Sequence, residues 1–263
     1  MNGEIIDLHD WLQSPPGRYL LAWERAQLDL AVADIFGFHA LQLGLPELDA
    51  LSANRMPHRW TATNTPGGKA NFVTEFSALP FSSHSLDLVV LPHSLELTPD
   101  PHATLREVER VLVPEGRVII CGLNPASLWA LRMRRASLYH RLGMGQGFLP
   151  SSHQLIGFWR LRDWLRLLGF EVEIARFGCY RPALSGEKWL KQFEWMERAG
   201  QRWWPILGAV YFLVAVKRVR GMTLLSPAWK APRVLAAAPV SVAGSTSLKR
   251  TADEFEFNKR NLD

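Results

Sequence analysis

The chain is poor in the residues that would announce a function directly. Among its 263 residues are only two cysteines, Cys121 and Cys179, which excludes a disulfide framework and a cysteine-rich metal site. Long apolar runs are also missing. The longest, Pro205 to Val216, falls short of the roughly 18 residues that a membrane-spanning helix needs. The opening MNGEIIDLHDW lacks the basic start and apolar centre of a signal peptide, so a cytoplasmic location is expected. No Gly-x-Ser-x-Gly elbow is present, and no His/Cys/Asp spacing suggests a metal. Basic residues are scarce in the first 100 positions, with 5 Lys+Arg against 12 Asp+Glu, a net of −7. Positions 101–220 reverse this, with 19 against 9, a net of +10. Such a basic half either attracts an anionic substrate or nucleic acid or docks on the acidic half.

What is present is most legible from Leu79 to Pro125. Leu86–Leu91 is a short apolar run, the pattern of a strand covered on both faces. Thr104–Leu112 places Leu105, Val108, Val111 and Leu112 on one helical stripe, with Arg106, Glu107, Glu109 and Arg110 outside it. Pro114-Glu115-Gly116 then turns the chain into a second apolar strand, Arg117–Cys121. This is a βαβ unit of a parallel sheet, with both following loops on one edge. Further helices are expected over Arg18–Ile35, Phe158–Leu168 and Glu187–Arg202, and strands over Phe38–Gly44, Arg59–Thr63, Glu171–Phe177 and Ala209–Val216. In the first helix, Leu20, Leu21, Trp23, Leu28, Leu30, Ala31 and Ile35 are expected on the buried side and Glu24, Arg25 and Asp29 on the wet side. Residues 221–263, proline-containing and Ala/Ser-rich, lack periodic apolar content and are expected to be a disordered tail.

The phrases Leu79-Pro80-Phe81, Ser85-Leu86-Asp87-Leu88-Val89-Val90 and Arg110-Val111-Leu112-Val113-Pro114-Glu115-Gly116, followed by Asn124-Pro125, closely resemble the central signature of class I S-adenosylmethionine-dependent methyltransferases, nearest the type 11 subgroup. The resemblance spans roughly Tyr19 to Val219. It implies an α/β Rossmann-like fold, a seven-stranded mixed sheet of order 3-2-1-4-5-7-6 flanked by helices. It further implies a domain over 1–220 with a lid insertion at 126–153, after the fifth strand, where Arg132, Arg134, Arg135 and Arg141 form a basic cluster.

The same resemblance places the cofactor, S-adenosylmethionine, and shows where this chain departs from the pattern. After the first strand the family carries an acidic residue and a Gly-x-Gly-x-Gly loop, whose glycines let the backbone turn and approach the cofactor. Here Gln42 stands for the acid, Gly44 fits the first glycine, and Pro46 and Leu48 replace the other two. Pro46 removes a backbone donor and Leu48 adds bulk. Asn64 replaces the carboxylate that accepts from the ribose hydroxyls, and Glu75 stands where relatives often hold the adenine amino group with Asp. The resemblance adds the backbone near Leu79 and Leu91 to this binding set. His93, in the loop after the fourth strand, faces the transferred methyl in this scheme and is the candidate general base; the alternative, which methyl transfer by alignment alone favours, is a loop residue without a catalytic role. His58, His84 and His102 lie in the same half, and Glu96 and Asp100 in a turn-rich stretch where Asp100 suits a helix start.

Three functions stay open at this point. One is methyl transfer to a small-molecule or macromolecular acceptor through an altered loop. The second is a non-catalytic relative that kept the scaffold for binding or regulation. The third is a nucleic-acid-associated module working through the basic half.

Overall fold

A computed structural model of the chain describes residues 11–66, 69–132, 135, 155–182 and 192–219. Most of the expected lid and the whole of the expected tail lie outside the described residues, as do Arg134 and Arg141. Met1–Gly221 forms one unit, to which every described element belongs.

Seven strands form one sheet in the order β3-β2-β1-β4-β5-β7-β6. They are β1 (His39–Leu43), β2 (His58–Thr63), β3 (Phe72–Val73), β4 (Leu86–Pro92), β5 (Leu112–Leu123), β6 (Phe170–Gly178) and β7 (Val210–Lys217). β1 to β5 run parallel, while β7 pairs antiparallel with both β5 and β6. The helices include α1 (Pro15–Ala33), α2 (Ser94–Leu97), α3 (Pro101–Val111), α4 (Phe158–Leu167) and α5 (Trp195–Trp203). This is the class I methyltransferase architecture expected from the sequence.

Alternation along each central strand divides the core in two. Leu88, Val90, Ile119 and Cys121 pack with Leu20, Leu28 and Val32 of α1. Val89, Leu91, Val118 and Ile120 pack with Leu105, Val108 and Val111 of α3 and with Leu161 and Leu165 of α4. Both sheet faces are thus apolar, which is why β4 reads as a continuous hydrophobic run.

Local chemistry sets the boundaries. Ser14 caps α1 by accepting from the Gly17 N–H (3.3 Å), with Pro15 at the first helical position. Asp100 caps α3 through the Ala103 N–H (2.9 Å), again with a proline next. The Pro114-Glu115-Gly116 turn is instead a bulge inside one extended segment. Leu86 pairs with Leu112 and Leu88 with Arg117, so extra residues on β5 are looped out, and Glu115 takes a left-handed φ of 64°. Glu24 also differs from expectation. It is fully buried together with Leu20, Leu28 and Val32, whereas Leu30 is exposed. These buried positions follow strict i,i+4 spacing, and the stripe runs straight through the charged residue.

Close approach between α1 and the sheet depends on Gly178. A Cβ there would lie 2.0 Å from Cε2 of Trp23. Gly178→Ala is therefore expected to lower stability by about 1–3 kcal/mol through overpacking, read as a drop in urea midpoint at constant slope.

Candidate functional site

The strand order reverses between β1 and β4, which makes their carboxyl ends the topological switch point where open α/β sheets bind ligands. The backbone there is unusual. Gly44 (φ 77°), Leu45 (φ 43°) and Asp49 (φ 45°) follow β1, and His93 (φ 56°) follows β4, all left-handed.

Gln42 organises the loop after β1. Its side-chain amide donates to the carbonyls of Gly44 (3.1 Å) and Leu45 (2.8 Å), and its oxygen accepts from the Ala50 N–H (2.8 Å). A carboxylate would repel both carbonyls, so this loop requires an amide where relatives carry an acid. Between these anchors Pro46–Leu48 makes a single 3-10 turn. Leu45 and Leu48 are buried in the core shared with α1, so the bulk of Leu48 is taken up by packing. Gly44 is buried, and a Cβ on it would lie 3.1 Å from Ser94 Oγ. The Ser94 hydroxyl itself donates to the carbonyl of Leu43.

The other expected cofactor groups divide into two sets. Asn64 and Glu75 are exposed, and neither side chain is engaged among the described residues. Leu79 is buried, and its N–H donates to Glu107 Oε1 (2.8 Å). Arg110 bridges Glu107 and the carbonyls of Leu79 (3.2 Å) and Phe81 (2.9 Å). Its hydrogen bond holds the Glu107 carboxyl below the usual range. The Leu-Pro-Phe phrase is thus pinned to α3. The structure brings Gln42, Gly44 and His93 together around the ends of β1 and β4, and leaves Asn64, after β2, and Glu75, after β3, exposed to solvent.

His93 is completely enclosed. One ring nitrogen, Nε2, faces Glu24 Oε1 at 2.8 Å and the other, Nδ1, faces Glu96 Oε2 at 3.1 Å. Two carboxylate acceptors call for two N–H donors, which is the imidazolium. Burial pushes the ring's pKa down, but the Glu24 and Glu96 carboxylates outweigh it and hold it well above its ordinary value. Glu96 also accepts from the Leu123 N–H at the end of β5. The second oxygen of Glu24, Oε2, is buried and has no hydrogen-bond partner. Glu24 was the residue that sequence reasoning missed; its place in the i,i+4 stripe was the available signal. Beside this group, burial raises the thiols of Cys121 and Cys179 and the hydroxyl of Tyr211 well above their usual values.

The other histidines singled out in the sequence, and Tyr19, have structural contacts. His39, His58 and Trp60 stack as three mutually adjacent rings (5.1, 5.6 and 5.9 Å), His84 lies 3.0 Å from the Leu112 carbonyl, and His102 packs on Trp164. Tyr19 donates to Glu197 and packs near Trp129.

A family model described as a methyltransferase domain matches residues 51–120. The chain is 31% identical over 222 residues to the uncharacterized protein YafS of Escherichia coli K12, covering 81% of this chain and 82% of that one. The chain belongs to the class I S-adenosylmethionine-dependent methyltransferase family. A demethylmenaquinone methyltransferase of Chlamydia pneumoniae is 36% identical over 61 residues, covering 23% of this chain and 26% of that protein. Two solved structures share the fold. A methyltransferase of Archaeoglobus fulgidus has a TM-score of 0.51 at 18% identity, covering 75% of this chain and 94% of its own. The methyltransferase bound to the Trm112 activator of Haloferax volcanii has a TM-score of 0.52 at 18% identity, covering 78% and 93%.

Two outcomes follow from this geometry. Gln42→Ala removes the partner of the Gly44 carbonyl and the Ala50 N–H, while the Leu45 carbonyl keeps its bond from the Leu48 N–H (3.1 Å); it should cost about 2–3 kcal/mol, measured by denaturant unfolding. A raised imidazole stabilises the fold fully below its unfolded pKa of about 6.5, and that contribution is lost as pH rises towards the folded value. Stability should therefore fall with rising pH above that point, and His93→Gln should abolish that slope.

Proposed function

We propose that the chain is an S-adenosylmethionine-dependent methyltransferase whose cofactor sits at the β1/β4 switch point. The observation carrying this reading is the left-handed backbone at Gly44, Leu45, Asp49 and His93, which follow the two strands at the switch point; three of the six non-glycine residues with left-handed φ among the described residues lie here. Non-glycine residues in this conformation are strained, and such strain clusters where a ligand must be met. The groups present fit the cofactor in a modified way. Gly44 gives the turn, and Asn64 and Glu75 supply exposed, unengaged polar side chains. S-adenosylmethionine would supply the electrophilic methyl group; the task of the chain is alignment of the acceptor. His93 has both nitrogens engaged and serves to position the end of β4 against α1. No proton-transfer step is assigned to it.

A second reading, a non-catalytic relative that kept the scaffold, is favoured by one set of contacts. Gln42, the Leu79 N–H and both His93 nitrogens are already bonded within the fold. Calorimetric titration with S-adenosylmethionine and with S-adenosylhomocysteine separates the two. Methyl transfer predicts micromolar binding that Glu75→Ala, at an exposed site, weakens by about tenfold or more, the worth of one charge-assisted hydrogen bond. No heat, with an unchanged melting temperature at millimolar ligand, supports the second reading.

A further inference from the structure

The segment after α5 is apolar and uncovered. Trp203, Trp204, Pro205, Ile206 and Leu207 are consecutive and all exposed, Trp203 to 76% and Ile206 to 47%. Pro205–Leu207 is a 3-10 turn none of whose residues is buried. The cost of this exposure is not offset by looseness of the segment, because the turn is firmly held from behind. Asn124 donates to the carbonyls of Ile206 (2.6 Å) and Gly208 (2.9 Å), and the Tyr180 hydroxyl donates to the Pro205 carbonyl (2.6 Å). Gly200 lets α5 close onto the Tyr180 ring, where a Cβ would lie 2.3 Å away. A fixed, protruding apolar turn is a contact surface.

Charge on α5 identifies what it contacts. Its acidic residue Glu197 is turned inward, accepting from Tyr19 and from the N–H groups of Cys179 and Tyr180 (both 3.3 Å). Glu194, just before the helix, lies 3.7 Å from Arg181. Arg198 and Arg202 remain, exposed and one helical turn apart, with no ion pair among the described residues. Tryptophans beside branched aliphatics and outward arginines suit the interface of an anionic bilayer. The rings and aliphatic chains lie at headgroup depth, while the guanidinium groups meet lipid phosphates. Among the described residues no helix is long and apolar enough to cross a membrane, so the contact is with the surface.

We infer that Trp203–Leu207, with Arg198 and Arg202, docks the protein on an anionic lipid bilayer. The turn leads into β7, whose first residue, Val210, pairs with Leu123 at the end of β5. Docking therefore sets the carboxyl edge of the sheet against the membrane. Resting on the methyltransferase reading, this edge would receive an amphiphilic acceptor from the bilayer. The docking itself is independent of that reading and can be tested without cofactor.

The test is co-sedimentation of the full chain with phosphatidylcholine vesicles, with and without phosphatidylglycerol, alongside size-exclusion chromatography. Sedimentation with the anionic vesicles is expected, and it should decline at high salt. Trp203→Ser/Ile206→Ser should reduce it by about tenfold or more, as should Arg198→Gln/Arg202→Gln. These positions are exposed, and an unchanged melting temperature would show that folding survives. Failure to sediment, sedimentation that the double variants share, or a dimer that Trp203→Ser/Ile206→Ser dissolves would overturn the inference.

Discussion

One buried imidazolium ties together the parts of this fold that matter for function. His93 sits between Glu24 of α1 and Glu96 of α2, and Glu96 continues to the backbone at the end of β5. The leading helix, the end of β4 and the end of β5 are therefore joined through four groups. Removing any of these charges from water is costly, and the arrangement holds only because each is met by an opposite charge or a donor. With one imidazolium between two carboxylates, loss of His93 would leave two like charges facing each other in the core. The left-handed backbone at His93 is maintained by the same contacts, since both sides of the ring are fixed.

The loop after β1 solves a related problem by different means. Relatives pass this point with glycines, whereas this chain uses one glycine and an internal template. Gln42 supplies two donors and one acceptor to the backbone of its own loop, and Leu45 and Leu48 anchor it in the core. The apolar replacement and the acid-to-amide change are thus coupled parts of one local structure. Whatever the loop meets, it meets with a preformed shape.

The sheet and its flanking helices were legible because apolar period and turn chemistry agree along most of the chain. Leu86–Leu91, the α3 stripe and the Asp100-Pro101 helix start all reflect interactions within a few residues. Glu24 was not legible in this way. A carboxylate on a helix reads as solvated unless its distant partner is known, and that partner, His93, lies on another element. The bulge at Pro114-Glu115-Gly116 also escaped, because such residues suit a turn as well as a looped-out strand. Gln42 was singled out as a departure, but its role emerged only from the curvature of the loop it holds.

His93 carries both ring protons because two carboxylates face it. Ring nitrogen chemical shifts of selectively labelled protein at neutral pH test this directly. Nδ1 and Nε2 should both resonate as protonated imidazolium nitrogens, with slowly exchanging N–H protons. One bare, unprotonated nitrogen at that pH would contradict it and would free His93 to accept a proton.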